Sequence, residues 1–310
     1  MRDNFIEFVF KKVVEIAASL GILAALMFFL LKALPGGPFD EEATLHPAVV
    51  ANLEQHWGLK ESTSQQFFKY ITGLLQGDLG VSMSKPDRAV TEVIGQGLAN
   101  TLHLNLMALV LIFISAFGLA LLAARFKGRW IEGAIEQSMV ALISLPSLFL
   151  GPLLIYLFGF YFDLLPVAFL TTPAHYILPV LTLSLRPIAY LVRILKSSLD
   201  ENLHADFART AKAKGLSPTA ILLKHILRNS LVPVISYSGP LIVSLVSGSF
   251  LVEMLFAIPG LGSEFIQSLN ERDITMITGL TLFYGALLIL ISQLMDVVLK
   301  AVDPRLRENP

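Results

Sequence analysis

Charge and cysteine are both scarce in this chain of 310 residues. Charged residues make up 15% of it, whereas soluble domains carry about 25%, and hydrophobic residues make up 55%. The mean hydropathy is +0.69, and the net charge of −1 gives no basic excess that would indicate nucleic-acid binding. Since there is no cysteine, a disulfide framework, a thiolate metal site and a cysteine nucleophile are excluded. The composition is that of a membrane protein.

Sequence signatures of catalysis are also missing. No Gly-Lys-Ser or Gly-Lys-Thr occurs, so the chain lacks a P-loop that would hold nucleotide phosphates. No Gly-x-Ser-x-Gly nucleophile elbow occurs either. Six histidines show no i, i+4 ligand pair, and each is expected to be a surface or interfacial residue: His46, His56, His103, His175, His204 and His225. The sequence therefore predicts no catalytic residue, no metal site and no cofactor bound by this chain.

Long apolar runs dominate what remains. A bilayer core of about 30 Å requires roughly 20 mostly apolar residues per helix. Six stretches meet this requirement: 13–34, 98–124, 134–158, 176–199, 231–256 and 274–299. The sequence predicts an all-α membrane protein with six transmembrane helices.

The distribution of basic residues predicts the orientation of these spans. With a cytoplasmic N-terminus, the inside segments hold 16 of the 23 lysines and arginines, as the positive-inside rule requires. Both termini are then cytoplasmic, and residues 35–97 form the one large segment on the outside. The predicted organisation is a first span over 1–34, a periplasmic segment over 35–97 and a core of five spans over 98–310. Within the outer segment, residues 62–75 are expected to form a short amphipathic helix.

One basic, helix-forming segment, residues 201–230, interrupts the apolar chain on the predicted cytoplasmic side. A first helix is expected over 201–214, with an apolar stripe at Leu203, Phe207 and Ala211. Gly215 is expected to end it in a left-handed cap, and Ser217 to cap a second helix over 218–229. The segment is predicted to be helix, tight turn, helix. From this pattern alone it is either a surface loop resting on lipid headgroups or a rigid contact for a partner.

Two charged residues inside predicted spans are candidates for a translocation path, because a charge in a bilayer is costly and usually faces protein or water. Arg186 either lies on a cavity wall, where it could meet a substrate carboxylate, or pairs with an acid or with carbonyls freed at Pro187. Glu253 either lines the path or braces the following Ala-Ile-Pro-Gly-Leu-Gly turn. Prolines within or at the ends of spans are candidates for kinks: Pro146, Pro179, Pro233 and Pro240.

The stretch from Arg209 to Ser217 resembles the cytoplasmic loop of ABC importer permeases. Their general pattern is Glu-Ala-Ala, three residues, then Gly; Arg209 and Thr210 replace its first two residues, as in the peptide and nickel branch. Six further stretches resemble that branch in order along the chain: LPGGPF at 34–39, LLQGDLGVSM at 74–83, NTLHL at 100–104, SLPSLFLG at 144–151, FLVEMLFAIPGLG at 250–262 and VDPRLR at 302–307. The chain is similar to the first of the two permease subunits in dipeptide, oligopeptide or nickel importers.

The resemblance implies a type I ABC importer permease fold in a bacterial inner membrane. It implies two cytoplasmic ATPase subunits that carry ATP and Mg²⁺, a second permease that is a distinct homologue, and a periplasmic or lipid-anchored solute-binding protein. The residues implied to couple the chain to the ATPase are Asp206, Ala208, Arg209, Thr210, Ala211, Ala213, Lys214, Gly215, Leu216 and Ser217. A stand-alone secondary transporter and a membrane scaffold protein are the alternatives.

Overall fold

The computed structural model describes residues 2–33 and 60–302, and within them the regular elements are helices apart from an isolated bridge between Val81 and Ala89. The helices in chain order are α1 (Arg2–Ala33), α2 (Thr63–Leu75), α3 (Val90–Arg125), α4 (Trp130–Ser144), α5 (Ser147–Leu154, continued by a π-helix over Ile155–Tyr161), α6 (Ile177–Leu203, preceded by a 3₁₀ turn over Pro173–Tyr176), α7 (Asp206–Ala213), α8 (Pro218–Ile221, continued by a π-helix over Leu222–Ile226), α9 (Leu227–Leu255), α10 (Leu261–Asn270) and α11 (Ile274–Val302). The predicted features at 34–39, His46, His56 and 303–307 lie outside the described residues.

Five helices are long and apolar enough to cross a membrane, and a sixth span is formed if one bent pair counts as one. The five are Lys11–Ala33, Val90–Arg125, Pro173–Leu203, Thr219–Leu255 and Ile274–Val298. These segments coincide with five of the six predicted stretches. The prediction of an all-α membrane protein with six spans is confirmed in this form.

The third predicted stretch, 134–158, is not one straight helix. Its two halves, Trp130–Ser144 and Leu148–Tyr161, meet at an angle of 109°. The backbone of Leu145 is extended (φ −73°, ψ 132°) at the break, because a following proline disfavours the helical conformation. Pro146 therefore makes this element a bent span or a re-entrant loop.

The chain divides into two compact units. One contains the described residues up to Leu98 together with Ser263–Ile289, and the other contains Ala99–Gly262 with the described residues from Leu290 onward. This division follows contacts between residues, whereas the predicted boundaries at 34 and 97 followed topology and remain a prediction.

In the larger unit, α6 is the central helix and packs against α4, α5 and α9. Leucines on its inner side are fully buried at Leu191, Leu195 and Leu199. The Ser184 hydroxyl of α6 donates a hydrogen bond to the Ala108 carbonyl of α3, at 3.3 Å. Small residues such as this alanine let helices approach closely in a membrane, where packing replaces the hydrophobic effect as the force between them.

In the smaller unit, aromatic side chains join α1 to α2. The ring of Phe28 lies 5.2 Å from that of Phe67 and 5.7 Å from that of Tyr70, between centroids. Ser62 and Gln65 form a reciprocal capping box that starts α2. The helix predicted over 62–75 is confirmed.

Also in the smaller unit, a polar cluster ties the segment before α3 to the turn before α11. Ser82 donates a hydrogen bond to a carboxylate oxygen of Asp273 at 2.5 Å, and the Ser84 hydroxyl lies 3.0 Å from the same oxygen. Ser84 is also placed 2.8 Å from Glu271, and Lys85 forms an ion pair with Glu271 at 3.5 Å. Burial alone would raise the pKa of the Glu271 carboxyl, but hydrogen bonds from Ser84 and Gln267 and the charge of Lys85 outweigh burial and lower it.

This lowered pKa predicts acid sensitivity. Because the folded pKa of Glu271 lies below its ordinary value of about 4.5, its stabilising contribution is fully present above that value. The contribution is lost as pH falls through the folded pKa. We expect Glu271→Gln to lower the melting temperature of the detergent-solubilised protein at pH 7, and the difference from wild type to shrink towards pH 3. Asp87→Asn, an exposed acid in the same unit, is the control. An equal difference at both pH values would contradict the prediction.

Candidate coupling segment and translocation face

The 201–230 segment contains one short helix, α7, held between two long helices. Helix α6 runs through Leu203, so the predicted start of a separate helix at 201 is wrong. The break lies at His204 and Ala205, where the backbone of Ala205 is extended (φ −69°, ψ 153°), and α7 begins at Asp206. Asp206 in its first turn and Lys212 in its last turn complement the helix dipole.

The turn after α7 has a defined hydrogen-bond pattern. The N–H of Gly215 donates to the Lys212 carbonyl at 3.0 Å, and that of Leu216 donates to the Ala211 carbonyl at 3.3 Å. This pair of bonds is a Schellman cap, which requires a left-handed residue, and Gly215 supplies it with φ +79°. The Ser217 hydroxyl then accepts from the Ala220 N–H at 3.3 Å. The predicted glycine stop and serine restart are confirmed.

The second helix was predicted to end at Asn229, and this prediction is wrong. Helices α8 and α9 and the π-helix between them form one uninterrupted helical run that continues to Leu255. The polar residues Arg228 and Asn229 therefore lie on the surface of a longer helix rather than at its end. The second arm of the segment is the first part of the helix that contains the fifth predicted span.

The face of α7 differs from the predicted stripe. Ala208 and Ala211 are each 5% exposed and form the buried side, whereas Phe207 is 37% exposed. Leu203 belongs to α6, so the i, i+4 pattern was counted across a break in the helix. The other predicted coupling residues are exposed: Asp206, Arg209, Thr210, Ala213, Lys214, Gly215, Leu216 and Ser217. The ion pair between Arg209 and Asp206 (3.6 Å) is solvent-accessible and contributes little to stability.

A small polar cluster joins α6 to α9 at the base of the 201–230 segment. The Ser230 hydroxyl of α9 donates to the Ser198 carbonyl of α6 at 3.1 Å, and the Asn202 amide donates to the Ser230 hydroxyl at 3.1 Å. The same amide donates to the Ser198 carbonyl at 2.8 Å. Ser230 is fully buried, so these bonds are protected from competing water. The base of the segment is therefore fixed.

Sequence reasoning missed an ionic cluster centred on Lys196 of α6. Its ammonium contacts Glu132 and Glu136 of α4 at 2.8 and 2.5 Å, and Asp200 of α6 at 3.1 Å. Lys127 also contacts Asp200, at 2.6 Å. The side chains of Lys196 and Glu132 are each 14% exposed. The i, i+4 spacing of Glu132 and Glu136, and of Lys196 and Asp200, is the signal that could have revealed the cluster.

Arg186 begins a polar face on α6. The guanidinium carbon of Arg186 lies 5.9 Å from the ring centroid of Tyr190, and its Nε is buried without a hydrogen-bond partner. Within the part of the chain that the structure describes, no acid or freed carbonyl pairs with it. The polar face of α6 consists of side chains spaced four, three, four and four residues apart: Arg186, Tyr190, Arg193, Ser197 and Glu201.

A cavity of about 520 Å³ opens along this polar face, and Pro233 of α9 forms part of its wall. Tyr190, Arg193, Ser197 and Glu201 all line the cavity and are exposed. On α9, exposed small and polar residues also recur at helical spacing: Ser236, Pro240, Ser244 and Ser247. Charged side chains are expensive in contact with lipid, so the polar face of α6 faces water or another protein.

Glu253 occupies a different environment. It is completely buried, and its carboxylate accepts the N–H of Gly262 at 2.7 Å. The same turn is held by the Thr101 hydroxyl, which accepts the Leu261 N–H at 2.9 Å, and by the Asn100 amide. Glu253 therefore has the contacts of a turn-bracing residue. Among the described residues, no group of three or more His, Asp or Glu could hold a metal ion.

Residues 116–308 match the family described as binding-protein-dependent transport system inner membrane component. The dipeptide transport system permease protein DppB of Bacillus subtilis (strain 168) is 38% identical over 300 residues, covering 97% of each chain. The oligopeptide transport system permease protein OppB of Haemophilus influenzae is 35% identical over 305 residues, covering 97% of this chain and 99% of that protein. This chain belongs to the family of binding-protein-dependent transport system inner membrane components. It is a multi-pass inner-membrane permease subunit of a binding-protein-dependent transport system.

Solved structures support the fold of the permease. A structure of the inward-facing MetNI methionine ABC transporter aligns with a TM-score of 0.56 at 19% identity, covering 68% of this chain and 96% of that one. An amino acid ABC transporter aligns with the same TM-score at 18% identity. The type I ABC importer permease fold is therefore confirmed, and family membership disfavours both the secondary transporter and the scaffold.

Proposed function

We propose that the permease forms half of the translocation path of an ATP-driven peptide importer and couples to a separate ATPase through α7. The observation that carries this proposal is the geometry of α7, an exposed helix whose position is fixed at both ends. Peptides are the proposed cargo because relatives that match nearly the whole chain are named dipeptide and oligopeptide permeases.

The proposed complex contains three further kinds of component. Two cytoplasmic ATPase subunits carry ATP and Mg²⁺, and each permease presents one coupling helix to them. A second permease, a distinct homologue, completes the path. A periplasmic or lipid-anchored solute-binding protein delivers the peptide. Both termini of this chain are cytoplasmic, and the lipid bilayer surrounds the assembly.

Coupling follows from the way α7 is attached. Its buried side, Ala208 and Ala211, rests on the permease, and its exposed residues from Arg209 to Ser217 are free to contact the ATPase. The Schellman cap at Gly215 sets the angle between α7 and α8. Since Asn202 and Ser230 join α6 to α9 at the base, a displacement of α7 moves both spans together. The uninterrupted run from Pro218 to Leu255 extends about 57 Å and carries that movement deep into the membrane.

The translocation path runs along the polar face of α6. It must be covered, since its charges are incompatible with lipid. The small residues exposed on α9 suit close packing against another helix, which the second permease supplies. Glu253 stabilises the turn at residues 257–262 and does not line the path.

Cross-linking from single cysteines tests this proposal, because the wild-type chain contains none. Ala213→Cys on the exposed side of α7 is expected to cross-link to a P-loop ATPase after mild detergent extraction, identified by mass spectrometry together with a second six-span protein. Ser64→Cys at the start of α2 is the matched control, since α2 lies in the proposed periplasmic segment. In intact cells, a membrane-impermeant maleimide should label Ser64→Cys and leave Ala213→Cys unlabelled. Recovery of the chain without an ATPase, or the reverse labelling, would refute the proposal.

A further inference from the structure

Arg186 is a charged residue deep in a membrane span, and the described residues provide no acid to pair with it. It lies nine residues after the start of α6, about 13 Å along a helix of about 40 Å. Its buried Nε has no hydrogen-bond partner, and leaving a buried charged donor unsatisfied is costly. Within residues 2–33 and 60–302, its guanidinium lies against the ring of Tyr190 and forms no ion pair.

A second arginine follows on the same face. Arg193 is seven residues further on, about 10 Å along the axis, and lines the cavity together with Tyr190. Both Tyr190 and Arg193 are exposed. Arg186, Tyr190 and Arg193 thus form a ladder of two guanidinium groups with an aromatic ring between them. The ladder ends in the cavity, which Tyr190 and Arg193 line.

The chemistry of the ladder suits a carboxylate. Guanidinium groups bind carboxylates with two parallel hydrogen bonds, and they are the preferred side chain where such planar recognition is required. Every linear peptide with a free C-terminus carries a carboxylate there, whatever its side chains are. Recognition at this group would therefore accept peptides of varied sequence, whereas recognition of side chains would not.

We propose that Arg186 and Arg193 are two successive binding positions for the C-terminal carboxylate of the transported peptide. This inference rests on the proposed function as a peptide importer. Arg186 holds the carboxylate near the middle of the span, and Arg193 receives it in the cavity that it lines. Glu201 lines the far end of the cavity, about 12 Å beyond Arg193, and its negative charge disfavours further retention of the carboxylate.

The test compares two probes in proteoliposomes that contain the complete transporter with its binding protein. The probes are radiolabelled trialanine and its C-terminal amide. The affinity of the binding protein for each is measured first, so that both can be supplied at saturation. We expect the wild-type transporter to move the free acid at least about tenfold faster than the amide. Arg186→Gln is expected to bring the ratio of the two rates close to one, Arg193→Gln to reduce it partly, and Arg186→Lys to retain more of it than Arg186→Gln.

Controls separate this role from a structural one. Arg125→Gln, an exposed arginine at the end of α3, should leave the ratio unchanged, and ATP turnover reports whether each variant assembles. If Arg186→Gln slows both probes equally, Arg186 is structural and the inference is wrong. If its effect disappears in vesicles without anionic lipid, the partner is a lipid headgroup and the inference is also wrong. A wild-type complex that transports neither probe would refute the proposed function itself.

Discussion

Gly215→Val is expected to lower ATP-driven peptide uptake about tenfold or more while leaving the permease inserted in the membrane. Gly215 has a φ of +79°, and a Cβ built on it would meet no atom within 4 Å. The effect of valine is therefore due to backbone conformation rather than to a clash. A β-branched residue in this left-handed region costs of order 1–3 kcal/mol, and about 1.4 kcal/mol corresponds to a factor of ten.

The expected consequence is loss of the Schellman cap and a changed angle between α7 and α8. Uptake and ATP turnover are measured together in proteoliposomes, with insertion checked by the yield of folded protein. Gly215→Asn is the matched control, since asparagine tolerates a positive φ far better than valine does. Normal coupled uptake in the valine variant would show that the turn geometry does not govern coupling.

Among the variants proposed for stability measurements, Lys196→Met is expected to lower the free energy of unfolding the most. Methionine keeps most of the side-chain volume but leaves the poorly exposed carboxylate of Glu132 without its cation, and Asp200 with Lys127 alone. A charge-assisted hydrogen bond contributes about 1.5–3 kcal/mol, so a loss of about 2 kcal/mol is reasonable for the cluster. With an unfolding entropy of about 2.1 cal/mol/K per residue, the chain of 310 residues should then melt about 3 °C lower in detergent.

Two further variants isolate the cause. The side chain of Glu136 is 50% exposed, so Glu136→Gln should change the melting temperature by about 1 °C or less. Combining Lys196→Met with Glu132→Gln should recover part of the loss, because a neutral pair avoids the unpaired charge. A double variant no more stable than Lys196→Met alone would mean that packing, not charge, is responsible.

Local signals in the sequence predicted the spans and the turn at Gly215 and Ser217. Hydropathy depends on length and composition, and a glycine cap depends on one backbone angle, so neither requires knowledge of distant residues. Proline was less informative. Pro146 breaks its span, whereas Pro187, Pro233 and Pro240 lie inside helices that continue past them.

The errors in the 201–230 segment arose from tertiary structure. Arg228 and Asn229 resemble a helix end, but the next residue, Ser230, bonds to α6 and lies within a longer helix. The stripe at Leu203 and Phe207 was counted across the break that precedes α7. For Arg186, the sequence located an intramembrane charge, and helical spacing places Tyr190 and Arg193 on the same face, but the cavity that these two residues line could not be read from the sequence.

The hydrogen bonds that shape the 201–230 segment lie almost entirely within residues 198–230. They form the Schellman cap, the Ser217 cap and the cluster of Ser198, Asn202 and Ser230, and all of their donors and acceptors lie between Ser198 and Ser230. The backbone conformation of this segment is thus independent of the identity of its exposed side chains. Exposed positions such as Arg209 and Lys214 can change during evolution without altering the scaffold beneath them. Under the proposed coupling role, permeases of this kind would diverge in their choice of ATPase while keeping the same loop structure, and an exchange of this one segment would transfer that choice between them.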